Sequence, residues 1–233
     1  MPKLIEHISW TNDVKIEKVS LKRRLFPLEL DIKDSITVIV GRNATGKTRL
    51  LRNIQNVASA DYNIRKAQAE GNDFLLDCAR TERNQLHLDI TSAPDAGSYV
   101  VHLLRQDQIL GEGECNGDML QLASRWMSSG EARITLMARI SNTADSLRKD
   151  GIHGVMLLDE LDDSMDYKTQ TKFANVLKKA SDVLQFIVVS HNIPFISNFD
   201  EVFDIETKSY MRTSAYLVKT LSKRVLNEIR KEG

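Results

Sequence analysis

Fourteen residues, SITVIVGRNATGKT (Ser35 to Thr48), limit what this 233-residue chain can fold into more than any others. SITVIV is a continuous apolar, largely β-branched run. Such a run marks a strand buried on both faces, and strands of that kind belong to parallel sheets covered by helices. It passes directly into GRNATGKT, spaced G-x4-G-K-T, and then into Leu50, Leu51, Ile54 and Val57 on one side of a helix predicted from Thr48 to about Val57. Strand, glycine loop and helix in that order build a cradle for phosphate. Glycines let backbone N–H groups curl around the oxygens, and the helix N-terminus adds its positive end. The spacing therefore predicts a nucleotide held by Gly41, Arg42, Asn43, Ala44, Thr45, Gly46, Lys47, Thr48 and Arg49. Lys47 is placed to reach the β- and γ-phosphates, and Thr48 to offer its hydroxyl to Mg²⁺.

A second constellation lies in GVMLLDELDDSMD, Gly154 to Asp166. An apolar strand ends in Asp159, where a neighbouring strand is expected to present a carboxylate to Mg²⁺. Glu160 follows directly, and a glutamate there can polarise a water for attack on the γ-phosphate. The bland alternative is a solvated acidic turn, since five of the eight residues from Asp159 to Asp166 are acidic. A further buried strand ends in VVSHN and puts His191 at the sheet edge where open α/β folds bind ligands. WMSSGEARI (Trp126 to Ile134) reads locally as a helix start, with Ser128 and Glu131 in capping-box spacing.

The rest of the chain fits one compact α/β unit, residues 1–233. Strands are expected through Val14, Ile16, Val19 and Leu21, through Leu28, Leu30 and Ile32, from Tyr99 to Leu104, from Val155 to Leu158 and from Phe186 to Val189. A helix from Glu131 to Lys149 would bury Ile134, Met137, Ile140, Ala144 and Leu147, and another runs through Phe173, Val176 and Leu177. Residues 59–98 are less regular. Phe74-Leu75-Leu76 and Leu86, Leu88, Ile90 suggest a small lobe or peripheral strands there, within a variable segment spanning 59–130. The tail from Tyr210 on reads as helical. Zero formal net charge gives the whole molecule no push toward nucleic acid or membrane. Cys78 and Cys115, without CxxC or Cys/His clustering, read as reduced thiols. With no apolar run near the roughly 20 residues of a membrane span and no signal-peptide layout, a cytoplasmic protein is expected.

Taken together, GRNATGKT, a glutamine after a strand (Gln106 in HLLRQDQ, with Gln108 competing), MSSGE, LLDELDDSMD and VVSHN resemble the ATP-binding cassette (ABC) ATPases, in that family's order. MSSGE stands where the family has LSGGQ, DSMD where it has its D-loop, and His191 where it has its switch histidine. The chain departs at Ser129, at Leu161 where transporters usually carry proline, and at Ala44. No aromatic residue is marked for stacking on adenine; Phe26 and Trp10 are candidates. The resemblance implies a P-loop head: a mainly parallel core sheet flanked by helices, a peripheral antiparallel β part and a small helical lobe. It implies ATP and Mg²⁺ as cofactors, with Thr48, Gln106 and Asp159 at the metal, and Glu160, His191 and Lys47 as catalytic groups. It further implies an ATP-dependent head-to-tail homodimer. In it Ser128, Ser129, Gly130 and Glu131 of one copy would meet the ATP of the other, and Asp166 would couple the two sites.

Only 21 residues separate Gln106 from Ser128, too few for a transporter's helical subdomain, and no heptad tract marks a coiled coil. The chain therefore resembles a stripped head of the chromosome-maintenance (SMC-like), DNA-repair and phage-defence kind. The expected partner is DNA or an effector protein, with a transporter subunit or an ATP-binding switch of negligible turnover as the alternatives. Residues 208–233 carry seven Lys or Arg against two Glu. They read as a basic amphipathic helix, with Leu217, Leu221, Val225 and Ile229 inward, in preference to a DNA-contacting surface.

Overall fold

The computed structural model describes residues 4–10, 28–92, 100–105, 129–163 and 165–232. The elements run β1 (Ile5–Trp10), β2 (Leu28–Asp31), β3 (Ile36–Val40), α1 (Lys47–Glu70), α2 (Asp73–Asn84), β4 (Leu88–Ser92), β5 (Val100–Arg105), α3 (Ser129–Asp150), β6 (Gly154–Asp159), α4 (Tyr167–Ala180), β7 (Leu184–Val189), α5 (Ile193–Ile196), β8 (Glu201–Asp204), β9 (Ser209–Arg212) and α6 (Thr213–Glu232). Six strands form one sheet in the order β5-β6-β7-β3-β8-β9, and three form another in the order β2-β1-β4. In the larger sheet β5 through β8 are parallel and only the edge strand β9 is antiparallel. The smaller sheet is antiparallel throughout.

Every residue of β6 and β7 is buried, as a strand covered on both faces requires. Side chains alternate between two cores. Val155, Leu157, Ile187 and Val189 meet Leu50, Leu51 and Ile54 of α1 and the inner face of the small sheet, including Trp10 and Leu30. Met156, Leu158, Phe186 and Val188 meet Leu136 and Ile140 of α3 and Phe173 and Leu177 of α4. Gln185 joins the two sheets. Its Nε2 donates to the Ile5 carbonyl at 2.8 Å and its Oε1 accepts from the Ile5 N–H at 2.8 Å, so a side chain does the work of a strand neighbour.

Several expectations need correction. α1 runs to Glu70, well past Val57, because no glycine or proline interrupts it before Gly71. Gly71 ends it at φ 64°, with Asn72 N–H returning to the Ala67 carbonyl. Asn72 at once caps α2 by accepting from Leu75 N–H, so Phe74-Leu75-Leu76 is helical, and Phe74 is 76% exposed. Arg83 ties this helical hairpin to Asp61 and to Asp89 at the small sheet. Ile134 is exposed; the inward stripe of α3 is Ala132, Leu136, Ile140 and Ala144. The tail is helical only from Thr213, since β9 precedes it, and Leu221 lies exposed. β1 and β8 had no counterpart in the sequence reading, and the strand expected through Val14 to Leu21 lies outside the described residues. Among the described residues no helix is long and apolar enough to cross a membrane.

Candidate functional site

The carboxyl ends of three adjacent strands, β6, β7 and β3, carry the site. Asp159 of β6 and Ile39 of β3 both pair with Val189 of β7, so the segments leaving all three start at one level. From β3 the chain turns through Gly41 to Gly46 into α1. Gly41 sits at φ 152°, and a Cβ there would lie 2.6 Å from Ile205 Cγ2, which leaves room for glycine alone. Ala44 (φ 61°) and Gly46 (φ 89°) also take left-handed backbone, which curls the loop. Glu206 fixes its first turn by accepting from Arg42 N–H at 3.0 Å, and Thr45 Oγ1 closes it onto the Arg42 carbonyl at 2.8 Å.

Lys47, the first residue of α1, is buried inside that loop. Its Nζ donates to the carbonyls of Gly41 (3.2 Å) and Arg42 (3.0 Å) and lies 3.9 Å from Glu160 Oε1. Burial pushes its pKa down, against the pull of Glu160, Asp159 and Glu206. Phosphate oxygens would supply the anionic neighbour that a buried ammonium favours. Next along, Thr48 Oγ1 donates to Asp159 Oδ1 at 3.2 Å. Burial, set against this hydrogen bond, raises the Asp159 pKa. A hydroxyl and a carboxylate from two elements suit Mg²⁺, which takes hard oxygen donors and leaves other positions to substrate phosphates and water. Among the described residues no group of three or more His, Cys, Asp or Glu is placed to hold a metal ion by itself.

Glu160 follows at φ 54°, a left-handed conformation costing a non-glycine residue about 1–3 kcal/mol. Its N–H donates to the Val189 carbonyl at 3.0 Å, which holds the turn. The turn aims the carboxylate between Lys47 and His191: Oε1 is 3.9 Å from Lys47 Nζ and 3.4 Å from His191 Nδ1. His191 Nδ1 is buried and lies within ion-pair reach without the alignment of a hydrogen bond. Asn43 to Arg49, Arg52 and Glu160 line a cleft of 580 Å³, and Gly41, Asn43, His191, Tyr216 and Lys219 line a second of 510 Å³ beside it. A larger cleft of 910 Å³, between Lys33–Val38 and Arg212–Leu217, lies at the other end of β3 and touches none of these residues.

The structure thus brings Gly41 to Thr48, Asp159, Glu160 and His191 together. Asp166 stands apart as the N-cap of α4, accepting from Thr169 N–H (3.0 Å) and Thr169 Oγ1 (2.6 Å), and those donors lower its pKa. Trp10 is fully buried, so its ring offers no face for adenine. Ser129, Gly130 and Glu131 form the first turn of α3. Gln106, Gln108, Ser128 and Phe26 lie outside the described residues. Three residues escaped the sequence reading. Arg52 gave a helical signal but no functional one. Glu206 is distant in sequence, and Asp162 was hidden in an acidic run that looked solvated.

Residues 101–198 match the family model described as "AAA domain, putative AbiEii toxin, Type IV TA system". The ABC-type transporters phomO and phomO' of Diaporthe leptostromiformis are each 30% identical over 100 residues, 43% of this chain and 6% of theirs. The chain thus spans a small part of the curated relatives it matches. Among solved structures, cbiO1 of Clostridium perfringens, part of the ABC transporter complex cbiONQ, superposes with a TM-score of 0.48 at 13% identity, over 96% of this chain and 95% of that one. An SMC head bound to the C-winged helix domain of ScpA superposes with a TM-score of 0.49 at 12% identity, over 87% and 93%. At such identity and superposition neither bears on substrate or partner. On its own sheet order, phosphate loop and family match, the chain is an α/β P-loop protein that resembles the ABC ATPase heads and matches the AAA-domain family over residues 101–198.

Proposed function

We propose that this chain is a single ATPase head that binds ATP with Mg²⁺, hydrolyses it, and uses the cycle to switch a DNA-related or effector partner. The observation that carries the reading is the placement of the Glu160 carboxylate. A costly left-handed backbone holds it between Lys47 and His191, beside the Thr48–Asp159 pair. A pure nucleotide holder has no use for that carboxylate.

In this reading the backbone N–H groups of the 41–48 loop and the Lys47 ammonium hold the β- and γ-phosphates. Thr48 and Asp159, with Gln106 as the third donor, would hold Mg²⁺, which when bound would neutralise phosphate charge. Glu160 orients a water for in-line attack on the γ-phosphorus and draws off its proton as the bond to the bridging oxygen breaks. His191 contacts the γ-phosphate from the β7 side and senses its loss. The first turn of α3 at Ser129 to Glu131, together with Ser128, would present donors to the ATP of a second copy, and Asp166 would lie across that interface. In the same reading residues 59–130 are the variable part of the head, and α6 lies in its basic segment 208–233.

The test is ATP turnover, together with molecular mass in solution, for the wild type and Glu160→Gln. The variant is expected to lose about 10²–10⁴-fold in kcat while still binding ATP and Mg²⁺. It should also accumulate as an ATP-bound dimer. Equal turnover in the two proteins would remove the role given to Glu160. A wild type that binds ATP without turnover would leave the binding-switch reading in its place.

A further inference from the structure

Asp162 is 1% exposed, and its carboxylate has no part in the chemistry above. It sits in the turn after Glu160, where a solvated acid was expected. Its Oδ2 accepts from Ser190 Oγ at 2.6 Å. Ser190, fully buried at the end of β7, accepts in turn from Asn192 N–H at 3.1 Å. The two bonds bracket His191 on either side. From behind, buried Gln170 of α4 donates to the carbonyls of Asp162 (3.2 Å) and Met165 (2.9 Å). The turn over residues 160–163 and the loop that carries His191 are therefore joined by one buried side-chain path.

We propose that Asp162 is a positioning residue: through Ser190 it fixes the His191 loop and couples that loop to the 160–163 turn, so that the two shift as one unit. The mechanical claim stands on the hydrogen bonds alone. Its consequence for turnover rests on the proposed role of His191. A buried carboxylate with a charge-assisted bond 2.6 Å long is an effective anchor, because leaving it without a donor is costly. Ser190 gives the anchor direction, since its hydroxyl can donate to Asp162 and accept from Asn192 at once.

The experiment uses the full chain with ¹³C-labelled histidine and no nucleotide. The His191 signal, one of five, is identified by its loss in His191→Gln. Ser190→Ala and Asp162→Leu are expected to shift or broaden that signal and leave the other four in place. Asp162→Asn, which keeps an acceptor for Ser190, should restore it. In the turnover assay Ser190→Ala and Asp162→Leu should each lower kcat about 10–100-fold with little change in KM for ATP. The double variant should be no worse than the worse single one. An unmoved His191 signal in both variants, or fully additive losses, would overturn the proposal. If Asp162→Leu fails to fold, Ser190→Ala carries the test, since it removes a single hydroxyl. A moved signal in a protein with no turnover would uphold the positioning contact and sink the hydrolysis reading instead.

Discussion

Asp162 carries a carboxylate where water does not reach it, and burial lifts its pKa from 3.8 to about 6 despite the Ser190 and Asn192 donors. The sign of the pH effect follows. Between those two values the folded chain holds a proton that the unfolded chain has released, so stability falls as pH rises through the window. Above the upper value the penalty is complete, at most about 3 kcal/mol. Asp162→Asn should therefore flatten the decline in melting temperature between pH 4 and 6 and raise the melting temperature at pH 7. A slope unchanged by the substitution would place the charge elsewhere. At this scale the sequence was legible where chemistry is local. Lys47 and Thr48 follow from the spacing of one loop, and Asp159 and Glu160 from an apolar run ending in acids. Asp162 was illegible because its partner, Ser190, lies 28 residues away and meets it only through strand pairing. Glu206, 164 residues from the Arg42 N–H it accepts from, gave no signal for the same reason.

Helix α3 shows how an element and most of its inward face can be found while one residue of that face is mistaken. Met137, Ile140, Ala144 and Leu147 lie in or against the core as expected, buried Ala132 and Leu136 join them, and Ile134 is left 65% exposed. Alanine is a weak marker of burial in a sequence, yet Ala132 and Ala144 are both buried, and Ala144 shares a core cluster with Phe173 and Phe186. Ile140→Ala should cost about 2–5 kcal/mol in urea unfolding, whereas Ile134→Ala should stay within about 0.5 kcal/mol. Comparable losses at the two positions would contradict the packing. α1 teaches the complementary lesson. Past Val57 the inward side continues through buried Ala60, half-buried Ile64 and buried Ala67, and this half of the helix packs on α2 as one arm of a hairpin. Alanines mark such a face weakly in a sequence, and the helix ends where a stop signal such as Gly71 falls. β8 was missed because four residues are too few for a pattern to stand out.

Across the whole molecule the alternation of β6 and β7 between two cores was foreseeable, because continuous apolar strands demand cover on both faces. The docking of the small sheet was not, because it turns on Gln185, a polar residue in an apolar run that reads as an interruption. Gln185→Leu would leave the Ile5 N–H and carbonyl buried without partners, at a cost of about 2–4 kcal/mol. Amide exchange should rise first in β1, β2 and β4, with the larger sheet still protected. Uniform exchange across both sheets would show that Gln185 holds nothing in particular. The strand order carries one more consequence. β3, which bears the phosphate loop, has β7 and β8 as its hydrogen-bonded neighbours. On the ribosome the stretch from Val40 to Leu184 takes roughly 7–30 s to synthesise at about 5–20 residues per second. For that interval a nascent chain displays GRNATGKT with no sheet to hold it in shape. Under the proposed function, anion capture by that loop is thus a late event in the life of the polypeptide and not a seed for its folding.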